Sequence, residues 1–517
     1  MKACLMYKDR DFGVKDYRPE NAAELCQDLE LETLFKGMAA DDPFLLEVAR
    51  MAVFSSLRDP QAILYRQHIL RDCRQCPDVV RAIYGVAVEA IERERRVWGW
   101  MSNKYPESTL HRSVEVLQIF VQILTRLRHL SDQHAAEFHS EGFRRFFQMI
   151  ADELNDDYLS LLEEHLERLK FRLGTLVSAE LGPGNQGVNY VLRKPSQITL
   201  SWMDRLQGWL AQTVLGGSRD LTYEVDDRDE AGQRALSDLR GQGICDVAAA
   251  LAQSTDHISG FFTMLRRELA FYIGCLNLQD QLAQKREPLC FPAVTADSHP
   301  TLTCKGLYDV CLSLRVEERI VGNEVSAGTL RLLMVTGANR GGKSTFLRSL
   351  GLAQLMMQSG MFVAAEEFEA NLCGAVFTHF KREEDAAMKS GKLDEELSRM
   401  SVIVDRLTPG CMVLFNESFA STNEREGSEI ARQIIGALLE TEVKVAYVTH
   451  MFDLAHEFYA ARQDGFLFLR AERLPDGQRT FRLLPGEPLP TSYGEDLYRR
   501  IFEPTSTAVA SGKHAHQ

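Results

Sequence analysis

The sequence predicts a multidomain chain, with a helical first half that carries a small β-containing insertion, followed by an α/β domain built on a phosphate-binding loop. Three observations predict it. Residues 113–130 and the stretch from Cys245 to Leu276 set apolar side chains at three- and four-residue steps, the period of helices that bury one face. From about residue 300, short apolar runs alternate with helical patterns, as in a parallel sheet with crossover helices. Between one such strand and the next helix stands Gly337-Ala-Asn-Arg-Gly-Gly342-Lys343-Ser344, which fits GxxxxGK[ST].

Composition agrees with this class. A chain of 517 residues, 45% hydrophobic and 26% charged, can bury at least one large core, and its length suggests about three domains. With 59 basic against 73 acidic residues the net charge is −14, which excludes a uniformly basic nucleic-acid binder and confines any DNA contact to a local patch. The amino-terminal stretch is charged within its first ten residues and has no signal-peptide core, and no run of about 18 apolar residues occurs. Eleven cysteines scattered from Cys4 to Cys411 fit a reducing compartment, so a cytoplasmic location without a membrane span is expected. Cys73 and Cys76 have the spacing of half a zinc site, but no second pair completes it.

Taken in order, residues 1–290 read as a helical region. Leu159, Leu162, Leu166, Leu169 and Leu173 follow a 3-4-3-4 spacing that predicts a long helix, either in a bundle core or as an arm running beside a second helix. Ile258, Phe261, Phe262, Leu265, Leu269 and Tyr272 mark that second helix. Between them, residues 174–194 hold two β-prone runs around Gly182-Pro-Gly-Asn-Gln-Gly187, a hairpin signal. A third run spans Leu221 to Val225, so residues 174–235 are expected to cap the arms. Arg172, Arg193 and Lys194 could face a phosphate backbone there or form an ordinary solvated face. Beyond residue 300, strands are expected at Arg331–Thr336, Met412–Phe415 and Val443–Thr449, and helices at Lys343–Gln358 and Glu426–Leu439. Residues 506–517 read as a disordered tail.

The loop at 337–344 carries the chemistry. Its glycines let successive backbone N–H groups curl around phosphates, Lys343 reaches the β/γ-phosphates, and Ser344 ligates Mg²⁺. In Cys411-Met-Val-Leu-Phe-Asn-Glu-Ser418, four apolar residues form a buried strand, and Glu417 just beyond it is placed as base or water-positioning group. Asn416 stands where an aspartate is usual. Its amide oxygen can accept from a Mg²⁺-bound water but brings no charge, so weak Mg²⁺ binding or slow turnover is expected. His450, after the next strand, could sense the γ-phosphate or be a plain surface histidine.

These residues together resemble the MutS group of DNA mismatch-repair ATPases, within the wider ABC-type ATPases, over most of residues 265–502. TGANRGGKST (336–345) is similar to the family's TGPNxGGKST, keeping Asn339 and replacing the proline by Ala338. Val321-Gly-Asn323-Glu-Val325 resembles its V-P-N-D-I element, which in the family lies near the nucleotide. Leu393, Glu396, Leu397 and Ile403 fall on its F-x-x-E-M and following I-L. NESFASTNEREG (416–427) has the spacing of DEIGRGTSTxDG, with Thr422, Glu426 and Gly427 matching and Asn416 and Phe419 departing. LLPGEPLPTSYGEDL (483–497) resembles the family's terminal serine, aromatic and glycine after a P-G turn.

The resemblance implies a helical core and lever region over 1–290 with a clamp-like insertion at 174–235, then an α/β P-loop (ABC-type) ATPase domain over 291–505. It implies ATP and Mg²⁺ held by Gly337, Asn339, Gly341, Gly342, Lys343, Ser344 and Thr345 with Asn323 nearby, Ser344 and Asn416 toward the metal, and Glu417, Lys343 and His450 in catalysis. It implies a head-to-tail homodimer in which a segment near Ser390 and Gly391 reaches the partner's nucleotide, a DNA substrate (duplex, mismatched or branched), and a repair-protein partner. No F-x-E mismatch wedge occurs in the first 300 residues, and the short tail leaves no room for a nuclease module, so the closer analogy is with truncated MutS-like proteins. The alternative is an ATP-driven protein-interaction switch that does not bind DNA, which the net charge and Asn416 favour. A membrane-associated transport ATPase is disfavoured by the motif spacing.

Overall fold

A computed structural model describes residues 1–13, 19–98, 106–171, 176–185, 187–193, 230–295, 300–382 and 391–490. Helices come first: α1 (Ala22–Asp28), α2 (Leu31–Ala39), α3 (Pro43–Phe54), α4 (Pro60–Gln75), α5 (Pro77–Trp98), α6 (Pro106–His134), α7 (Glu141–Glu153) and α8 (Asp156–Arg168). Four of them begin on proline, whose fixed φ and missing N–H suit the first helical position. Asp42 and Asp59 cap two of these, and Asp42 Oδ1 accepts the Phe44 amide at 2.7 Å.

The hairpin β1 (Leu176–Leu181) and β2 (Gly187–Arg193) follows, antiparallel as its turn signal suggested, and then α9 (Glu230–Gln284), a 55-residue helix. Ile258, Phe261, Phe262, Leu265, Leu269 and Tyr272 are buried along α9, the expected face. The helix expected from Tyr158 is shorter than its leucine spacing implied, and Leu173 lies outside the described residues. α8 ends at Arg168, and Phe171 turns into the left-handed region (φ 46°), so Leu159 and Leu166 are buried while Leu162 and Leu169 are only partly covered. The leucine spacing is real, but 13 residues are enough to lay it on α6.

The second half contains β3 (Ala293–Thr295), β4 (Leu302–Leu307), α10 (Val310–Arg315), β5 (Asn323–Ala327), β6 (Leu332–Gly337), α11 (Lys343–Gln358), β7 (Glu367–Asn371), β8 (Val376–Phe380), α12 (Lys392–Val404), β9 (Met412–Asn416), α13 (Glu424–Glu440), β10 (Lys444–Val448), α14 (Phe452–Ala461), β11 (Phe466–Arg473) and β12 (Arg479–Pro485). A six-stranded sheet runs β12-β11-β6-β10-β9-β8. Its centre is buried on both faces, which is why MVLF, VAYV and LLMV read as unbroken apolar runs. The sheet is mixed, not wholly parallel. At Leu474-Pro-Asp-Gly477 the chain reverses, with Gly477 at φ 87°, and lays β12 antiparallel on β11. A second sheet, β3-β7-β4-β5, was missed because its strands are short and half-exposed.

By compactness the chain forms two units. One comprises Met1–Ala3, Arg81–Ala136 and Arg145–Arg266, the other Cys4–Val80, Glu137–Arg144 and Arg267–Gln517. Within the first, the rings of Phe120 and Phe262 meet at a tilt between α6 and α9 with centroids 5.6 Å apart, and Ser259 donates to Glu94 at 2.6 Å. Within the second, the amino-terminal helices are docked on the α/β sheet: Leu57 donates to the Gln358 carbonyl at 2.7 Å, and the Gln358 amide donates to Leu57 and Cys373 carbonyls. No described helix is long and apolar enough to cross a membrane.

In the second unit the buried carboxyl of Glu268 on α9 accepts the amides of Leu5 and Phe12, at 2.6 and 3.1 Å. Burial raises its pKa to about 7 against the opposing pull of those amides. The unfolded chain releases this proton near 4.5, so between the two values the folded state holds more protons and loses stability as pH rises. Glu268→Gln should remove that loss: the stability difference between variant and parent is expected to shift by about 2 kcal/mol in the variant's favour from pH 5 to 7.5. Parallel urea-denaturation curves across this range would refute it.

Candidate nucleotide site

Strands β6, β9 and β10 run parallel, so their carboxyl ends share one edge of the sheet, where open α/β folds place their ligands. The loop after β6 leads into α11 through Gly342, whose φ of 89° in the cap position favours glycine. Lys343 is buried and folds back, its Nζ donating to the carbonyls of Gly337 (2.9 Å) and Ala338 (3.1 Å). Burial pushes its pKa down, Glu417 opposes, and Arg479 adds to the lowering. An incoming phosphate would relieve the desolvated ammonium. Asn339 is exposed at the loop's crown, where its carbonyl accepts from Arg479 Nε at 3.4 Å. Gly341 is buried and Thr345 half-buried.

Ser344 Oγ donates to Asn416 Oδ1 at 2.8 Å, so the two residues expected toward the metal meet. Ser344 Oγ would ligate a bound Mg²⁺, and Asn416 Oδ1 beside it would accept from a Mg²⁺-bound water. The donor set fits the ion, though neither oxygen carries charge. Replacing the amide by a carboxylate, Asn416→Asp, should tighten the apparent Mg²⁺ affinity for nucleotide binding roughly tenfold. A titration of Mg²⁺ at fixed nucleotide that superimposes on the parent's would show that the missing charge has no such effect.

Glu417 follows β9 in the left-handed region (φ 54°), with its amide on the Val448 carbonyl at 2.9 Å. His450 Nδ1 lies 3.5 Å from its carboxylate, and both side chains are partly exposed. The pKa of Glu417 is lowered, first by hydrogen bonding from His450 against the cost of burial, then by the charges of His450, Lys343 and Lys381. It is therefore ionised at neutral pH, as a base or water-orienting group must be. Thr449 is turned inward and accepts the Met451 amide, while His450 is exposed.

The other expected residues make contacts of their own, and Asn323 bonds to the backbone of Phe481, which itself lies against Gly342 of the loop. Asn323 spends its side chain on β12, donating to Phe481 O (3.3 Å) and accepting from Leu483 N (2.7 Å), and so staples β5 to β12. It also walls a cavity of about 430 Å³ with Tyr308, Ile320, Val321 and Arg482. Gly391 caps α12, whereas Ser390 lies outside the described residues. Thr422 and Asn423 both donate to Glu426, and Asn423 caps α13. Arg193 donates to Ser178 within the hairpin at 2.8 Å, while Arg172, Lys194, the run at 221–225 and the tail at 506–517 lie outside the described residues.

Behind Glu417, His379 and Ser418 were not expected from the sequence, and Phe419 was expected only as a departure from the family motif. Phe419 is fully buried with φ 61°, a conformation that costs a non-glycine residue about 1–2 kcal/mol. Its ring stacks on His379 at 5.1 Å, and full burial of such a side chain contributes roughly 1.5–3 kcal/mol, enough to hold the strain. The histidine in the apolar run VFTHF was the available signal. Arg479, set on the phosphate loop by the β11–β12 reversal, left no signal.

Comparison with known proteins identifies related chains. A family model described as "MutS2 N-terminal domain" matches residues 58–285, and one described as "MutS domain V" matches residues 333–512. The chain is 28% identical over 251 residues to "Endonuclease MutS2" of Lacticaseibacillus casei, a stretch covering 47% of this chain and 31% of that protein. It is 27% identical over 235 residues to "MutS protein homolog 4" of Mus musculus, 44% of this chain and 23% of that one. Over 124 residues it is 35% identical to "Endonuclease MutS2" of Thermus thermophilus, 24% and 17% of the two chains. The matches thus span less than a third of each of these relatives.

Proposed function

The chain belongs to the MutS family, and from that premise we propose that it is an ATP-dependent DNA-binding protein of repair or recombination, switched by ATP binding and hydrolysis in a composite site formed by two copies. What carries the reading is the convergence of Lys343, Ser344, Asn416, Glu417 and His450 on one sheet edge. Lys343 binds the phosphates, the loop amides cradle them, Ser344 and Asn416 hold Mg²⁺, and Glu417 orients and deprotonates the attacking water with His450 beside it. When bound, Mg²⁺ supplies charge neutralisation between the phosphate oxygens. The cavity beside Asn323 offers room for the nucleotide base. The uncharged Asn416 makes turnover slow.

In this reading residues 291–505 are the ATPase domain, with α1 to α4 docked on it, and residues 1–290 supply the core and lever. Residues 174–235, which lie largely outside the described residues, would in this reading contact DNA through its phosphates. A cytoplasmic protein acting as a homodimer with a repair-protein partner fits this scheme. The net charge of −14 and the Arg193–Ser178 bond favour a second reading, an interaction switch that grips no nucleic acid.

One experiment separates them: ATP hydrolysis and gel mobility with homoduplex, mismatched and four-way-junction DNA at two salt concentrations. At least one DNA should change hydrolysis and bind less tightly at the higher salt, because released counterions drive phosphate contacts. If none alters hydrolysis or mobility, the DNA reading falls and the switch stands.

A further inference from the structure

Behind Glu417 lies a polar network that nucleotide chemistry does not account for. His379 on β8 is fully buried, with Nε2 3.0 Å from the Glu396 carbonyl on α12 and Nδ1 2.8 Å from Ser418 Oγ. Burial lowers the pKa of the imidazole to about 4, so it is neutral. Nε2–H then donates to the Glu396 carbonyl, and the single Ser418 hydroxyl proton, which donates to the His379 carbonyl, is shared with Nδ1 2.8 Å away, so both the backbone and the ring of His379 hold Ser418. The Glu396 carboxylate returns the link, taking the Phe419 amide and the Ser421 hydroxyl, the latter at 3.0 Å. Ser418 is held from a third side, its carbonyl accepting from Tyr447 OH at 2.6 Å. The loop has no slack on α13 either, since a Cβ at Gly427 would fall 2.3 Å from the Phe419 carbonyl.

Resting on the reading of the site as an ATPase, we propose that His379, Ser418 and Phe419 are positioning residues that couple the Glu417 loop to α12, holding the carboxylate in its working geometry while α12 is docked. Two left-handed residues, Glu417 and Phe419, flank Ser418, so the aim of Glu417 depends on where this one residue is anchored. The anchor is not local: it passes through His379 and Glu396 to a helix that begins directly after Gly391. A displacement of that helix end therefore reaches the water-orienting carboxylate without passing through the phosphate loop.

The test uses the full chain with Ser418→Ala, His379→Leu and His379→Asn. Asparagine can set an oxygen near the place of Nδ1 and still accept from Ser418; leucine cannot. Ser418→Ala and His379→Leu should lower kcat about tenfold or more with KM and ATP affinity within twofold of the parent, and His379→Asn should recover most of kcat. Hydrogen exchange without nucleotide reads the coupling independently: Ser418→Ala should speed exchange in residues 417–421 and 392–400 together and leave 337–345 unchanged. Faster exchange in 417–421 alone, no change in either segment, or kcat, KM and affinity moving together would overturn the proposal. A parent that hydrolyses no more ATP than Lys343→Ala sinks the ATPase reading instead, and the exchange result still decides whether α12 and the loop are coupled.

Discussion

Lys343→Ala is expected to lower ATP affinity by two to three orders of magnitude and leave the fold intact. The ammonium is buried against two carbonyls of its own loop, where burial already costs it charge stability, so it is poised to exchange those partners for phosphate oxygens. Truncating one member of such a desolvated charge pair costs about 2–5 kcal/mol. Because the lysine's burial is itself a cost to the free protein, its removal should leave the melting temperature unchanged or raise it. Equilibrium binding of a fluorescent ATP analogue and a thermal melt check both halves. Affinity within tenfold of the parent would mean that the loop does not bind phosphate through this residue.

The second large effect separates binding from turnover. Glu417→Gln should retain ATP affinity within a few-fold and cut hydrolysis roughly 100-fold or more, the usual contribution of a positioned base. The carboxylate is ionised and half-exposed beside His450, while its backbone is held by Val448, so the amide should sit in the same place without accepting a proton. Single-turnover hydrolysis at saturating ATP gives the answer: a rate near the parent's would remove Glu417 from the base role.

How much could be read beforehand follows from which interactions are local. α11 matches its expected limits at Lys343–Gln358, because the phosphate loop and the apolar period both declare themselves within a few residues. β9 and β10 were legible for a related reason: a strand buried on both faces must be apolar throughout. Strands β4, β5 and β7 of the second sheet alternate buried and more exposed positions, but at three to six residues each the sheet's strands are too short for that alternation to stand out in the sequence. The leucine repeat after Tyr158 announced an apolar face but not its length, since a repeat does not say where the chain will turn.

By itself the sequence determined where the GxxxxGK[ST] loop stands between a strand and a helix, the acidic residue after β9 with its uncharged neighbour Asn416, and the resemblance to the family, since each is a spacing along the chain. Only the tertiary structure decided that Ser344 meets Asn416, that Asn323 staples β12, and that a buried histidine ties the Glu417 loop to α12. Those contacts join residues 17 to 160 positions apart. Their partners are chosen by which strand lies beside which, and strand order is set by burial of the whole sheet rather than by any local run of residues.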